Sequence, residues 1–303
     1  MRIALAPATA RTWLAEAIIA GGAELVDPSD AEALVWSIPD GRDDLSTVLD
    51  EHSQLRWVQL PWAGIEPYVD VVRAHPDRQW TCAKGVYAEP VAELALTLLL
   101  GGLRSVDRYA KATSWSGPAG RNLLGARVVV AGGGGITESL LRMLGPFDCD
   151  VTVVRKRPDP MVGATRVVGT EDLDDALAGA DALVLALALT PETTGIVDGR
   201  RLDLLADHAC LVNVARGRHV VTDDLVAALA DGSIGAAGLD VTDPEPLPDG
   251  HALWSLPNVV ITPHVGNTPD MAVPLLSARV TANVRRWAAG EPLLGPVDAA
   301  LGY

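Results

Sequence analysis

Three stretches in the second half of the chain carry side chains able to move a proton or hold an anion. LVNVARGRHVV places Arg216 just after an apolar run, GLDVTDPEPLP places Glu245 in a proline-bounded segment, and VVITPHVGNTP places His264 just after another apolar run. An arginine holds a carboxylate or carbonyl oxygen through directed hydrogen bonds, and a histidine gives or takes one proton near neutral pH. A glutamate facing that histidine would fix its orientation and favour its protonated form. Brought together, the three suit the reduction of a 2-oxo acid. Each taken alone has a plainer reading: Arg216 as a structural ion pair, Glu245 as a solvated loop residue, His264 as a satisfied histidine beside Pro263.

A second set of residues suits a nucleotide. RVVVAGGGGITESLLRML, residues 127–144, reads as strand, glycine turn and helix, the context a dinucleotide fingerprint requires. Gly132 suits the tight turn and Gly134 a close approach of backbone to a pyrophosphate. Gly135 and Ile136 open the helix, whose N–H groups and dipole favour an anion. The third position of the G-x-G-x-x-G pattern is Thr137, which puts the close packing of helix on strand in question. An ordinary glycine-rich turn is the plainer alternative, and no Lys-Ser or Lys-Thr follows the glycines as a P-loop would require.

The next strand ends in VTVVRKRPDP. Arg155 there occupies the place where an NAD site carries an acidic residue for the adenosine ribose 2'-hydroxyl. Arg155, Lys156 and Arg157 instead offer charge-assisted hydrogen bonds to the 2'-phosphate of NADP. The expected cofactor is NADP, with NAD as the second choice; a solvated basic loop is the plainer alternative.

The elements that must position these residues are legible as an alternation. Short apolar runs (RIALA, ALVWS, RWVQL, RVVVA, VTVV, DALVLALAL, CLVNVA, NVVIT) are separated by helical stretches such as ARTWLAEAIIA, ESLLRML and DDLVAALA. Continuous apolarity marks strands covered on both faces, so the fold class is α/β with parallel sheets. Ligands of such sheets bind at the carboxyl ends of the strands, where Arg216 and His264 lie. AEPVAELALTLLLGGLR, residues 88–104, has helical spacing and is a candidate crossover between two domains. A second crossover is expected over 264–275, before the helical stretch LLSARVTANVRRWAAG.

Composition narrows the function classes. Twenty-four Lys plus Arg against thirty-nine Asp plus Glu give a formal net charge of −15, which disfavours nucleic acid and anionic lipid as partners. Cys82, Cys149 and Cys210 are odd in number and far apart, so neither a disulfide framework nor a metal site is expected, and a reducing cytoplasm fits. The first residues read as strand, turn and helix rather than a signal peptide. The longest apolar runs are too short to span a bilayer.

The order GGGGI, NVARG, GLDVTDPEP, TPHVG resembles the D-isomer-specific 2-hydroxyacid dehydrogenase family, in particular its NADP-dependent glyoxylate/hydroxypyruvate reductase-like branch. QLPWAGIEPY at 59–68, the 88–104 segment and LALTPETTGIVD at 187–198 extend the resemblance over nearly the whole chain. It implies two doubly wound parallel-sheet domains: a flavodoxin-like substrate domain over 1–92 plus 271–303, and an inserted Rossmann domain over 93–270, with a cleft between them. It implies a homodimer and a small 2-oxo or 2-hydroxy acid as the partner molecule.

By the resemblance, Arg216 holds the substrate carboxylate and carbonyl, Glu245 pairs with the histidine, and His264 is the general acid. Asp240 contacts the nicotinamide amide, Thr190 and Pro191 lie along the cofactor, and backbone N–H groups of Trp62, Ala63 and Gly64 hold the substrate carboxylate. Trp62, Tyr87 and Trp115 are candidates for shaping a larger pocket, with ordinary packing the plainer reading. Asn267 and Thr268, where the chain departs from the family's small-residue run, receive no role. The alternatives are a cofactor-sensing regulator of the same fold and a cofactor site disabled by Thr137.

Overall fold

The computed structural model describes residues 1–38 and 41–298, so residues 299–303, the end of the expected substrate-domain segment, lie outside the described residues. The chain divides into two compact units. The first is Met1–Tyr87 with the described part of Thr268–Tyr303, and the second is Ala88–Asn267.

In the first unit, strands β1 (Arg2–Ala6), β2 (Glu24–Leu25), β3 (Ala33–Trp36), β4 (Trp57–Gln59) and β5 (Gln79–Thr81) form one sheet in the order β2-β1-β3-β4-β5. Every pair is parallel. This is the flavodoxin-like order, and it reverses direction between β1 and β3. The helix Pro269–Ala289 belongs to this unit and is fastened to it by a polar contact. Fully buried Asn283 donates through Nδ2 to Gln59 Oε1 at 2.8 Å and to Leu294 O at 2.9 Å. The helix starts six residues earlier than the stretch beginning at Leu275, because Pro269 stands in its first turn, where a proline is tolerated, rather than breaking it. The expected crossover over 264–275 is therefore partly helical.

The second unit holds β6 (Arg127–Ala131), β7 (Asp150–Val154), β8 (Arg166–Val168), β9 (Ala182–Leu185), β10 (Cys210–Asn213), β11 (Ala236–Leu239) and β12 (Val259–Ile261). Their order is β12-β11-β10-β9-β6-β7-β8, again all parallel. Counted from β6, this is the 3-2-1-4-5-6 order of a Rossmann domain with one further strand, reversing between β6 and β9. Both expected sheet classes are borne out.

The continuous apolarity of the strands has a direct cause. Val128 and Val130 of β6 pack into one buried cluster, Val129 and Ala131 into another, so successive side chains enter cores on opposite faces. Burying each valine contributes roughly 1.5–3 kcal/mol, and a charged residue at any of these positions would break the strand's fit between the two layers.

The turn after β6 admits only glycine at its first position. Gly132 has φ +117°, and a Cβ there would lie 2.1 Å from Ala186 O, at the start of the loop that leaves β9. The reversal point of the sheet is thus also a place where two backbones approach closely.

Candidate active site

The loops that carry chemistry in the second unit leave three adjacent strands, β10, β11 and β12. Arg216 follows β10 and precedes a short 3-10 turn, Gly217–His219. Buried Asn213 shapes that loop: its Nδ2 donates to Arg216 O at 2.9 Å and its Oδ1 accepts from Ala215 N at 3.0 Å. Arg216 Nη1 donates to Ala215 O at 2.7 Å. Fully buried His219 reaches Ala188 O through Nε2 at 3.3 Å, while its Nδ1 faces Arg216 N at 3.2 Å, which ties the β10 loop to the segment before Thr190. Gly217 meets the β11 loop: a Cβ there would stand 1.9 Å from Thr242 O, so no larger residue fits.

His264 and Glu245 meet. His264 Nδ1 lies 2.7 Å from Glu245 Oε1, with both side chains about half exposed. A carboxylate accepting from Nδ1–H leaves Nε2 as the ring atom that faces a reacting group. His264 adopts a left-handed backbone, φ +55°, a conformation that costs a non-glycine residue energy and persists only where its surroundings impose it.

Asp240 imposes it. Its backbone oxygen accepts from His264 N at 2.8 Å. Its carboxylate accepts from Thr262 Oγ1 at 2.6 Å, Val265 N at 2.8 Å and Gly266 N at 2.9 Å. The Asp240 side chain is therefore a clamp on the His264 loop, with only part of its acceptor capacity left over for a ligand.

The glycine turn and its surroundings fit a dinucleotide. A Cβ on Gly134 would project into open space, and the helix Gly135–Leu144 follows directly, so the N–H groups of Gly135, Ile136 and Thr137 have no partner within their own helix. Thr137 does not disturb helix packing as the sequence suggests. It is fully buried, and its Oγ1 donates to Gly132 O at 2.9 Å, bracing the turn from inside. Thr137→Val keeps the shape and leaves that carbonyl unmet, so a denaturant titration should show a stability loss of about 1–3 kcal/mol. A variant as stable as the parent would mean that the hydroxyl does not brace the turn.

Arg155 folds back over the turn: a Cβ on Gly133 would lie 2.6 Å from both its Cδ and its Nε. Lys156 and Arg157 are exposed beside it, and among the described residues none of the three is held in a salt bridge or side-chain hydrogen bond. The Thr190 hydroxyl, with Lys156 as a lesser cause, holds the Glu192 carboxyl below its ordinary range, which puts Lys156 near the Thr190–Pro191 turn. That turn is closed by Thr193, whose Oγ1 accepts from Thr190 N at 2.8 Å.

Trp62, Ala63 and Gly64 lie in the first unit, in the loop that leaves β4. Trp62 O accepts from Ala83 N at 2.9 Å, and Tyr87 donates its hydroxyl to Pro61 O at 3.0 Å. Burial pushes that hydroxyl up to about 12, so it stays a donor across the neutral range. The Trp62 and Tyr87 rings pack edge to face, 6.0 Å apart, which bears on their being packing residues. Trp115 is fully exposed and packs in no core.

Sequence reading missed Asn213, His219 and the clamping part played by Asp240. Asn213 and His219 do flank Arg216 within NVARGRH, but only their burial distinguishes them from solvated loop residues.

Comparison with known proteins follows the same lines. Residues 94–266 match the family model of the D-isomer specific 2-hydroxyacid dehydrogenase NAD binding domain. A protein of Corynebacterium melassecola without an assigned function is 38% identical over 84% of this chain and 86% of its own length. Glyoxylate/hydroxypyruvate reductase A of Serratia proteamaculans is 32% identical over 89% of this chain and 87% of its own. The crystal structure of a D-isomer specific 2-hydroxyacid dehydrogenase from Xanthobacter autotrophicus Py2, in complex with NADPH and MES, superposes with a TM-score of 0.86 at 28% identity, covering 100% of this chain and 99% of the other.

Proposed function

Because the chain belongs to the D-isomer specific 2-hydroxyacid dehydrogenase family, we propose that it is an NADPH-dependent reductase of small 2-oxo acids such as glyoxylate or hydroxypyruvate, yielding D-2-hydroxy acids. The observation that carries this reading is the 2.7 Å pair of His264 and Glu245 at the same sheet edge as Arg216. A panel of glyoxylate, hydroxypyruvate, pyruvate, phenylpyruvate and branched 2-oxo acids, assayed by NADPH oxidation, tests it. Turnover of none of them would refute the reading.

Bound NADPH supplies the hydride that reduces the substrate's carbonyl carbon. His264 gives the proton to the carbonyl oxygen from Nε2, with Glu245 holding the ring through Nδ1. Arg216 offers its guanidinium to the substrate's carboxylate and to the oxygen as negative charge develops there. The N–H groups of Trp62, Ala63 and Gly64 receive the carboxylate. The glycine turn, Gly132, Gly134, Gly135 and Ile136, takes the pyrophosphate, Thr190 and Pro191 run along the cofactor, and Asp240 offers its remaining acceptor capacity to the nicotinamide amide. In this reading the first unit is the substrate domain and the second the cofactor domain, which their sheet orders support.

Arg155, Lys156 and Arg157 receive the 2'-phosphate. NADPH should therefore be preferred over NADH in kcat/KM, and Arg155→Ala should cut that preference by about 10- to 100-fold, the worth of a charge-assisted hydrogen bond. NADH serving as well as NADPH in the parent enzyme would remove the triplet from the cofactor site.

A homodimer is part of the proposal and is supported by the exposed apolar side chains Val106, Trp115 and Leu124 on the second unit. Sedimentation at the mass of a single chain would exclude it. The cytoplasmic assignment is supported by the free thiols of Cys82, Cys149 and Cys210. Among the described residues no helix is long and apolar enough to cross a membrane. A regulator without turnover is not favoured; it would be recognised by thermal stabilisation with NADPH and no oxidation of it by any member of the panel.

A further inference from the structure

The first unit has a reversal point of its own, between β1 and β3, and Arg11 stands in the loop that leaves β1 there. Sheets of this kind bind ligands in the crevice outside the strand ends at the reversal. Ser37, after β3, donates through Oγ to Pro7 O at 2.8 Å and holds the start of the Arg11 loop in place.

The Arg11 guanidinium lies 4.5 Å over the Trp62 ring, and Arg11 is held with a left-handed backbone, φ +47°. Its Nη1 is shut off from solvent and meets no hydrogen-bond acceptor. Burial pulls this guanidinium below its ordinary value, and the groups opposing that are Tyr87 and Tyr68 rather than a carboxylate. In a chain with fifteen more acidic than basic groups, a half-buried arginine whose Nη1 is enclosed with no acidic mate among the described residues is costly unless a ligand supplies the anion. Arg279 nearby is committed differently, donating to Cys82 O at 3.2 Å.

The loop beneath Arg11 is polarised in the same sense. Its carbonyls are engaged: Pro61 O by Tyr87, Trp62 O by Ala83 N and Ala63 O by Cys82 Sγ at 3.6 Å. The N–H groups of Trp62, Ala63 and Gly64 donate to no acceptor among the described residues. Three unpaired N–H groups in the loop whose Trp62 ring carries the Arg11 guanidinium put donors of one sign on one short segment, which suits an anion.

We propose that Arg11 and the N–H groups of Trp62, Ala63 and Gly64 form one carboxylate-binding site on the first unit. Arg11 is its only charged member and the specificity residue that selects carbonyl compounds bearing a carboxylate over neutral ones. This rests on the reading of the chain as a 2-oxo acid reductase and extends it to a residue outside the family's motifs quoted above.

The test uses the full chain with Arg11→Met, which keeps an unbranched stem on Trp62, and Arg11→Lys, which keeps the charge without the planar fork. With glyoxylate and NADPH, Arg11→Met should raise KM about 10- to 100-fold, the loss expected for a hydrogen bond to a charged group, while kcat stays near the parent value. The inhibition constant of oxalate, a carboxylate that cannot be reduced, should rise in parallel, and the preference for glyoxylate over ethyl glyoxylate should collapse. Arg11→Lys should recover part of each effect. NADPH affinity, read by fluorescence, should be unchanged in both variants, which also shows them folded. KM and oxalate inhibition unchanged in Arg11→Met would overturn the proposal. Should the parent enzyme reduce no 2-oxo acid, the reductase reading fails instead. Thermal stabilisation by oxalate then decides on the site: lost in Arg11→Met it stands, equal in parent and variant it falls.

Discussion

Replacing His264 with alanine is expected to lower kcat for glyoxylate by about 10²-fold or more, the usual contribution of a positioned general acid. The affinity for NADPH should stay nearly intact, because the glycine turn and the basic triplet leave different strands, β6 and β7, from the histidine loop after β12. Alanine also fits poorly at φ +55°, so a disturbed loop adds to the loss in that variant. His264→Asn separates the two effects. Asparagine accepts the left-handed backbone readily and cannot deliver a proton, so it should be as inactive as alanine while keeping the loop. Glu245→Gln acts through the ring rather than on the substrate, and it should lose less than either histidine variant while altering the pH profile of kcat. Turnover retained in both histidine variants would remove His264 from the chemistry.

Replacing Arg216 with methionine is expected to lower kcat/KM by about 10²- to 10³-fold, the range for deleting one donor aimed at a developing oxyanion. Both constants should suffer, since the guanidinium serves the carboxylate before the reaction and the carbonyl oxygen during it. Arg216→Lys should restore little, because a single ammonium cannot reproduce a planar fork of donors. The variant loses the Nη1 bond to Ala215 O, but the loop keeps the contacts that do not involve the guanidinium: Asn213 binds Ala215 N and Arg216 O, and Gly217 packs against Thr242 O. NADPH affinity and thermal stability should therefore stay close to the parent values. Steady-state kinetics with unchanged KM and kcat would relocate the substrate site.

The contrast between Arg11 and Arg216 bears on how the enzyme discriminates. One arginine is expected to act mainly on KM and the other on both constants, so the two variants separate recognition of the carboxylate from stabilisation of charge at the carbonyl. Their effects need not add if both touch one small substrate, and a double variant measures that coupling.

The amino-acid sequence by itself determined the α/β class, the glycine turn, the basic triplet and the three loops holding Arg216, Glu245 and His264. These are local signals. Runs such as RVVVA and CLVNVA are long and apolar enough to announce strands buried on both faces, and Gly132 is required by a turn whose residues are neighbours in the chain. Strands β2, β5, β8 and β11 were not legible. Three of them are only two or three residues long, and β11 is AAGL, which earns its place by pairing with β10 and β12 rather than by its own propensity. Only the tertiary structure showed that Thr137 braces the glycine turn, that Asp240 clamps the histidine loop, and that Arg11 stacks on Trp62 with no acidic mate among the described residues. A hydroxyl, a carboxylate or a guanidinium can serve many partners. Which one it serves depends on groups that folding brings within about 3 Å, the reach of a hydrogen bond, and spacing along the chain does not encode that distance.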